Sequence, residues 1–140
     1  MWRILDAGRE PLRKKLAELA GCSHEEIAIN RNSTEGLNTI IFGLNLKAGD
    51  EVILSKYDYP NMMNAWKQRE KRDGIKLVWL DLPVVMEDDK EIVKMYEQAI
   101  TEKTKIVHIT HMINWTGQLM PARQIADMAH KKGCEVILDT

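Results

Sequence analysis

Short apolar runs alternate along the chain with longer stretches in which apolar residues recur every three or four positions. The runs have the length and the β-branched content of buried strands, and the longer stretches have the period of amphipathic helices. The predicted strands are 27–29, 52–54, 77–80, 106–109 and 134–140, and the predicted helices are 9–20, 37–44, 60–73, 92–100 and 121–132. This alternation predicts an α/β fold in three layers, with a mostly parallel sheet flanked by helices.

The second predicted helix carries a clear apolar stripe. Leu37, Ile40, Ile41 and Leu44 recur at the spacing that places side chains on one face of a helix, so we expect all four to be buried. A polar segment, residues 30–36, precedes this helix.

Composition and charge exclude some classes of protein. The 140 residues are 44% hydrophobic and 29% charged, as in one globular domain. Twenty basic and twenty-one acidic residues give a net charge of −1, which favours neither nucleic acid nor a membrane surface as a partner. No apolar run approaches the roughly 20 residues that span a bilayer. The two cysteines, Cys22 and Cys134, form no disulfide framework, and we expect a reducing, cytoplasmic setting.

Polar residues follow the predicted strands at four places. Because the carboxyl ends of parallel strands share one edge of a sheet, and ligands bind at that edge in open α/β folds, we expect these residues to lie together. They are Ser33 with Thr34, Asp58 with Tyr59, His111 with Asn114, and Asp139. The histidines have no spacing typical of a metal site, so no metal is expected.

Ser33 and Thr34 stand where a helix is predicted to begin. Free backbone N–H groups and the helix dipole favour an anion such as phosphate there, and two hydroxyls add donors. The alternative is that Ser33 is only the N-cap of the helix. No glycine-rich dinucleotide or nucleotide fingerprint is present.

Three further residues have both a binding and a structural interpretation. Tyr59 offers a flat ring on which an aromatic ligand could stack, or it is an ordinary aromatic of the Tyr-Pro turn. Asn114 could donate to a ligand oxygen, although loop asparagines more often bond their own backbone. His111 is either a ligand contact or a satisfied buried histidine.

Asp139 ends the last predicted strand, which is apolar. A carboxylate in that position needs a positive or hydrogen-donating partner, and it can hold the protonated ring nitrogen of pyridoxal phosphate. The alternative is that Asp139 caps a following helix. Taken together, a phosphate-binding turn, a stacking ring, a polar contact and this carboxylate predict a pyridoxal phosphate pocket.

At these residues the sequence resembles the class V aminotransferase family of fold-type I pyridoxal phosphate enzymes. It is most similar to the isopenicillin N epimerase-like branch, with cysteine desulfurases and selenocysteine lyases as more distant relatives. Five motifs carry the resemblance in chain order: RNSTEGLN at 31–38, LKAGDEV at 46–52, DYP at 58–60, THMINWTGQ at 110–118 and VILD at 136–139.

The resemblance implies a role for each matching position that binds the cofactor. Ser33 and Thr34, with the backbone N–H groups of Thr34 and Glu35, match the family's phosphate-binding turn. Tyr59 matches the residue whose ring stacks on the cofactor, and Asn114 matches the Asn near its phenolic oxygen.

The resemblance also makes Asp139 the catalytic carboxylate that pairs with the ring nitrogen. His111 lies in the same motif as Asn114 and takes no firm role. No lysine of the chain matches the one that forms the Schiff base. We therefore expect residues 1–140 to be part of the large, cofactor-binding domain of an enzyme that acts on an amino acid, without the rest of that domain or the small domain.

The family's usual state implies a homodimer, and self-association is expected of the chain itself. Two alternatives to the enzyme are a non-catalytic unit of the same fold and a generic α/β module that binds another phosphorylated ligand.

Overall fold

The computed structural model describes residues 2–140, with side chains described from residue 8 onward. Five α-helices, one 3₁₀ turn and four strands are found in this range. In chain order they are α1 (Trp2–Ala20), the 3₁₀ turn (His24–Glu26), α2 (Ser33–Gly43), β1 (Glu51–Ser55), α3 (Pro60–Asp73), β2 (Lys76–Leu80), α4 (Asp89–Ala99), β3 (Thr104–Thr110), α5 (Ala122–Lys131) and β4 (Glu135–Asp139). The chain divides into two compact units, one ending at Gly36 and the other running from Leu37 to Thr140. None of the described helices is long and apolar enough to cross a membrane.

In the first unit the expected strand at 27–29 is wrong. These residues form no strand, and Ile29 is 45% exposed. The Arg13 guanidinium instead binds the carbonyl oxygen of Ile27 at 2.8 Å and that of His24. The composition of these three residues is typical of a strand. Here, however, the carbonyl oxygen of Ile27 accepts a hydrogen bond from a side chain of α1 and not from a neighbouring strand.

The second unit contains a four-stranded sheet in the order β2-β1-β3-β4. Every neighbouring pair is parallel, so the predicted parallel sheet is confirmed. The carboxyl ends of all four strands therefore lie at one edge of the sheet. At that edge Thr110 of β3 lies opposite Asp139 of β4.

Helices cover both faces of the sheet, which confirms the three layers. The strand residues alternate between two buried clusters, as the two-residue period of a strand requires. One cluster joins Ile53, Val107 and Ile109 to α4 and α5 through Ile92, Tyr96, Ile125 and Ala129. The other joins Val52, Leu54 and Ile106 to α2 and α3 through Leu37, Ile41, Met62 and Trp66.

The buried face of α2 is narrower than the sequence predicts. Leu37 and Ile41 are buried and Leu44 packs against the same cluster, but Ile40 is 49% exposed. Residues spaced by four and then three positions form one row down a helix, and this row, together with Phe42, packs against the cluster. The expected burial of Ile40 is therefore wrong.

Candidate functional site

Three of the expected strand-end positions meet at the edge of the sheet. The hydroxyl of Thr110 donates to Asp58 Oδ1 at 2.8 Å, and the backbone N–H of His111 donates to the carbonyl oxygen of Asp139 at 2.8 Å. These contacts join the turn after β1 to the ends of β3 and β4. The expectation that Asp58, His111 and Asp139 lie together is confirmed.

Asp139 presents a carboxylate at the end of β4. The residue is half-buried, and burial raises the pKa of its carboxyl group above the ordinary value. Its backbone is fixed by His111, but no hydrogen bond or ion pair found among the described residues ends on the carboxylate oxygens. A partly desolvated carboxylate without a protein donor favours a cationic or hydrogen-donating ligand.

Asp58 is a second carboxylate, and it lies deeper in the protein. It is 1% exposed and accepts hydrogen bonds from the Ser55 N–H at 2.7 Å and from Thr110. Burial is the main cause that raises its pKa to about 6; the negative charge of Asp139 raises it further, and the hydrogen bonds oppose both. Repulsion between two carboxylates is mutual and acts on whichever ionises second. The sequence placed Asp58 at this edge but assigned it no role.

Tyr59 is accessible, as a stacking ring must be. The residue is 44% exposed and serves as the N-cap of α3, immediately before Pro60. Its carbonyl oxygen accepts the N–H groups of Met62 at 2.9 Å and Met63 at 3.1 Å, which fixes the backbone that carries the ring.

Asn114 lies at the tip of a short loop between β3 and α5. Two backbone bonds close the loop, from the Ile113 N–H to Gln118 at 2.9 Å and from the Met120 N–H to His111 at 2.8 Å. Asn114 is exposed, and its amide makes no side-chain hydrogen bond among those found in the described residues. Among the described residues, the structure therefore does not show the interpretation in which Asn114 bonds its own backbone.

The ring of His111 has a partner within the chain. Its Nδ1 lies 3.1 Å from the hydroxyl oxygen of Thr140, and the residue is half-buried. This contact fits the structural interpretation of His111 and places the ring beside the end of β4.

The first unit contains the expected phosphate-binding turn. α2 begins at Ser33, but the N-cap is Asn32, whose Oδ1 accepts the Glu35 N–H at 2.9 Å. Ser33 is thus the first helical residue, and its interpretation as the N-cap is wrong. The Glu35 N–H is engaged by this cap, and the Glu35 carboxylate pairs with Arg31 at 2.9 Å, which lowers the pKa of Glu35. The prediction of a phosphate site there depends on the Ser33 and Thr34 groups and on the helix dipole.

Another histidine of the chain, His108, has a structural role. It is fully buried and accepts a hydrogen bond from Trp66 Nε1 at 3.4 Å, with the two rings edge-on. Burial lowers the pKa of His108 to about 4, so the ring is neutral at ordinary pH.

The parallel sheet is covered on both faces and carries carboxylates at its carboxyl edge, where open α/β proteins bind ligands. The family model "Aminotransferase class-V" matches residues 5–140. The chain belongs to the class V aminotransferase family, and the resemblance described above is confirmed.

The relatives that match the chain include cysteine desulfurases and isopenicillin N epimerases. A probable cysteine desulfurase of Synechocystis sp. is 31% identical over 134 residues, which is 93% of this chain and 31% of that protein. Isopenicillin N epimerase of Streptomyces clavuligerus is 28% identical over 127 residues, 91% of this chain and 32% of that protein. The chain spans about a third of the length of these relatives.

The fold is also shared with solved structures. A mutant of C-DES with glycine covalently linked to its PLP cofactor matches with a TM-score of 0.84 at 23% identity, over 94% of this chain and 35% of that one. At this identity the match shows the fold.

Proposed function

We propose that residues 1–140 are the part of a pyridoxal phosphate enzyme's large domain that holds the cofactor, and that the whole enzyme acts on an amino acid. The observation that carries the proposal is the Asp139 carboxylate, which stands at the carboxyl edge of a parallel sheet with its backbone fixed by His111 and its oxygens without a protein donor among the described residues. Family membership and the PLP-linked fold neighbour support it.

The residues fit the cofactor's ring. Asp139 would hold a proton on the ring nitrogen, since a desolvated carboxylate favours a cationic partner. Tyr59 would pack its exposed ring against the cofactor ring, Asn114 would donate its amide to the phenolic oxygen, and His111 would line the same edge. When bound, pyridoxal phosphate withdraws electrons from the Cα of an amino acid.

The phosphate is assigned to the start of α2. Ser33 and Thr34 would donate their hydroxyls, and the helix dipole favours the negative charge there. Glu35 matches the family's turn, but its N–H already donates to Asn32. We therefore expect the Glu35 N–H to contribute little to phosphate binding.

The particular reaction has two candidates. The isopenicillin N epimerase-like assignment follows the motifs, and a relative of that name matches the chain. Cysteine desulfurase or selenocysteine lyase is the second candidate, favoured by the relatives named cysteine desulfurase. A desulfurase uses a cysteine as sulfur acceptor, and Cys134 does not suit that role because it is buried and burial raises the pKa of its thiol.

Titration of the chain with pyridoxal phosphate, followed by absorbance, tests the proposal. Since no lysine of the chain matches the Schiff-base lysine, we expect saturable binding that borohydride does not convert into a covalent adduct. Competition with inorganic phosphate and with unphosphorylated pyridoxal distinguishes a cofactor site from a generic phosphate module. Equal displacement by any phosphorylated ligand favours the generic module, and the absence of any spectral change favours a non-catalytic unit.

Two further parts of the proposal concern the setting of the enzyme. Homodimerisation, with self-association of the chain itself, is tested by light scattering coupled to size exclusion at two protein concentrations. A reducing, cytoplasmic location agrees with Cys22 and Cys134 both being free thiols.

A further inference from the structure

Asp58 is a buried carboxylate that ties two strand ends together. It lies in the turn after β1, is 1% exposed, and receives hydrogen bonds from the last residue of β1 and from the last residue of β3. The first comes from the Ser55 N–H at 2.7 Å and the second from the Thr110 hydroxyl at 2.8 Å. Both partners are donors, so the position suits an acceptor-only carboxylate better than an amide.

Thr110 connects Asp58 to the candidate site. It is the last residue of β3 and lies opposite Asp139 in the register of β3 and β4. The next residue, His111, donates its N–H to the Asp139 carbonyl oxygen at 2.8 Å. Any displacement of the end of β3 would therefore also displace the backbone that carries the Asp139 carboxylate.

We propose that Asp58 is a positioning residue of this site: bound to the Thr110 hydroxyl, it fixes the end of β3, holds Asp139 in place and adds negative charge beside it. The inference rests on the proposed function, because the protonated cofactor ring is the group that Asp139 would hold. Asp58 is buried, so it acts through Thr110 and through its charge.

The charge of Asp58 responds to what Asp139 holds. Among the described residues, the titratable groups that interact with Asp58 are Asp139 of β4 and Tyr96 of α4. Tyr96 stays neutral, because burial raises the pKa of its hydroxyl. A cation bound at Asp139 offsets the repulsion between the two carboxylates, which favours ionisation of Asp58. Without the cation, Asp58 ionises with a pKa of about 6, so near neutral pH its negative charge adds to that of Asp139 and attracts a cation bound there.

The test measures the dissociation constant of pyridoxal phosphate for the 140-residue chain and four variants at about pH 5 and about pH 7.5. Asp58→Asn removes the charge, Thr110→Val removes the hydroxyl, and Thr110→Ser keeps the hydroxyl. Asp81→Asn is the control, because Asp81 is an exposed carboxylate that pairs with Lys56 at 2.7 Å. The ratio of variant to wild-type constants cancels the cofactor's own titration.

We expect the Asp58→Asn ratio to rise about tenfold between the two pH values, a change that a purely structural defect would not produce. Thr110→Val should bind more weakly at both pH values, Thr110→Ser should recover binding, and Asp81→Asn should match the wild type. A pH-independent Asp58→Asn ratio overturns the role of the charge. Equal constants for Thr110→Val and Thr110→Ser overturn the role of the hydroxyl.

Hydrogen exchange of the His111 amide, measured without cofactor, separates this inference from the proposed function. Thr110→Val and Asp58→Asn should accelerate that exchange about tenfold, and Thr110→Ser should not. If the wild type binds no pyridoxal phosphate but exchange responds in this way, the proposed function fails and the positioning contact stands. If the cofactor binds and exchange is the same in all variants, the positioning role is overturned and the proposed function stands.

Discussion

The backbone N–H of His111 donates to the carbonyl oxygen of Asp139 over 2.8 Å. This bond holds the end of β4 through its main chain and leaves the Asp139 side chain out of the contact. The carboxylate can therefore be altered without removing the bond that positions it.

The first prediction concerns Asp139→Asn, which keeps the size of the side chain and removes its charge. We expect pyridoxal phosphate to bind about 10- to 100-fold more weakly, because an amide does not stabilise a proton on the ring nitrogen; Asp139 is only half-buried, which limits the loss. Absorbance titration measures the effect, and circular dichroism checks that the fold is retained. Asp127→Asn, which alters an exposed carboxylate paired with Arg123 at 3.1 Å, should bind like the wild type. Equal affinity of Asp139→Asn and wild type would remove Asp139 from the cofactor site.

Most of the fold could be predicted from the sequence because burial on both faces of a parallel sheet leaves an uninterrupted apolar signal. Val52, Ile53 and Leu54 are all fully buried, and their run of three predicted β1 correctly. The same rule failed at 27–29, where a run of similar composition has no neighbouring strand. Composition reports the preference for burial, whereas pairing depends on residues far away in the chain.

The candidate site was predictable in position but not in its hydrogen bonds. Strand ends placed Asp139 and His111 at one edge correctly, since topology alone determines that edge. The partner of Asp58 is Thr110, 52 residues away, and no local pattern indicates it. Among the adjacent polar residues at 30–36, the sequence favoured Ser33 as the cap, and the side-chain geometry of Asn32 decided otherwise.

Arg69 of α3 supports the end of α2, and its loss should be costly. It is 3% exposed, donates to the carbonyl oxygens of Ile41 and Leu44, and pairs with Asp73. Arg69→Leu leaves a buried carbonyl group without a donor, so we expect the free energy of unfolding to fall by about 2–4 kcal/mol in urea titrations.

Arg72→Leu is the matched control for Arg69→Leu. Arg72 pairs with the same carboxylate, that of Asp73, at 2.7 Å, but its side chain is 53% exposed. An exposed ion pair contributes little, so this change should lower the free energy of unfolding by less than about 1 kcal/mol. If both variants lower the free energy of unfolding by the same amount, the buried contacts of Arg69 contribute no more to stability than an exposed ion pair does.

Gly74 ends α3 in the left-handed conformation, with φ of 72°, and a Cβ there would lie 3.2 Å from Ala48 Cβ. Gly74→Ala should therefore destabilise the protein by about 1–2 kcal/mol, from backbone strain and from this close approach. Gly43→Ala provides the contrast, because Gly43 is helical and a Cβ there meets nothing within 4 Å. We expect Gly43→Ala to stabilise by up to about 1 kcal/mol. Thermal unfolding of both variants measures the difference, and a stabilising Gly74→Ala would contradict the strain.

Two buried groups give opposite dependences of stability on pH. The pKa of Asp58 is raised from 3.8 to about 6, so between these values the folded protein binds more protons than the unfolded chain and the free energy of unfolding falls as pH rises. The pKa of His108 is lowered from 6.5 to about 4, so the unfolded chain binds more protons in nearly the same window and the free energy rises with pH. Each contribution amounts to about 3 kcal/mol, and the two largely cancel in the wild type.

Single variants should reveal each contribution. From about pH 4.5 to about pH 6.5, the free energy of unfolding of Asp58→Asn should rise relative to wild type, because this variant loses the contribution that falls with pH and keeps the His108 contribution that rises with pH. His108→Gln, which offers an amide in place of the ring that accepts from Trp66, should fall relative to wild type over the same range. Urea unfolding at pH intervals measures both differences. The other carboxylates titrate alike in all three proteins, except Asp139, which loses its interaction with a charged Asp58 in Asp58→Asn. Parallel curves for the three proteins would show that neither buried group titrates with the assigned shift.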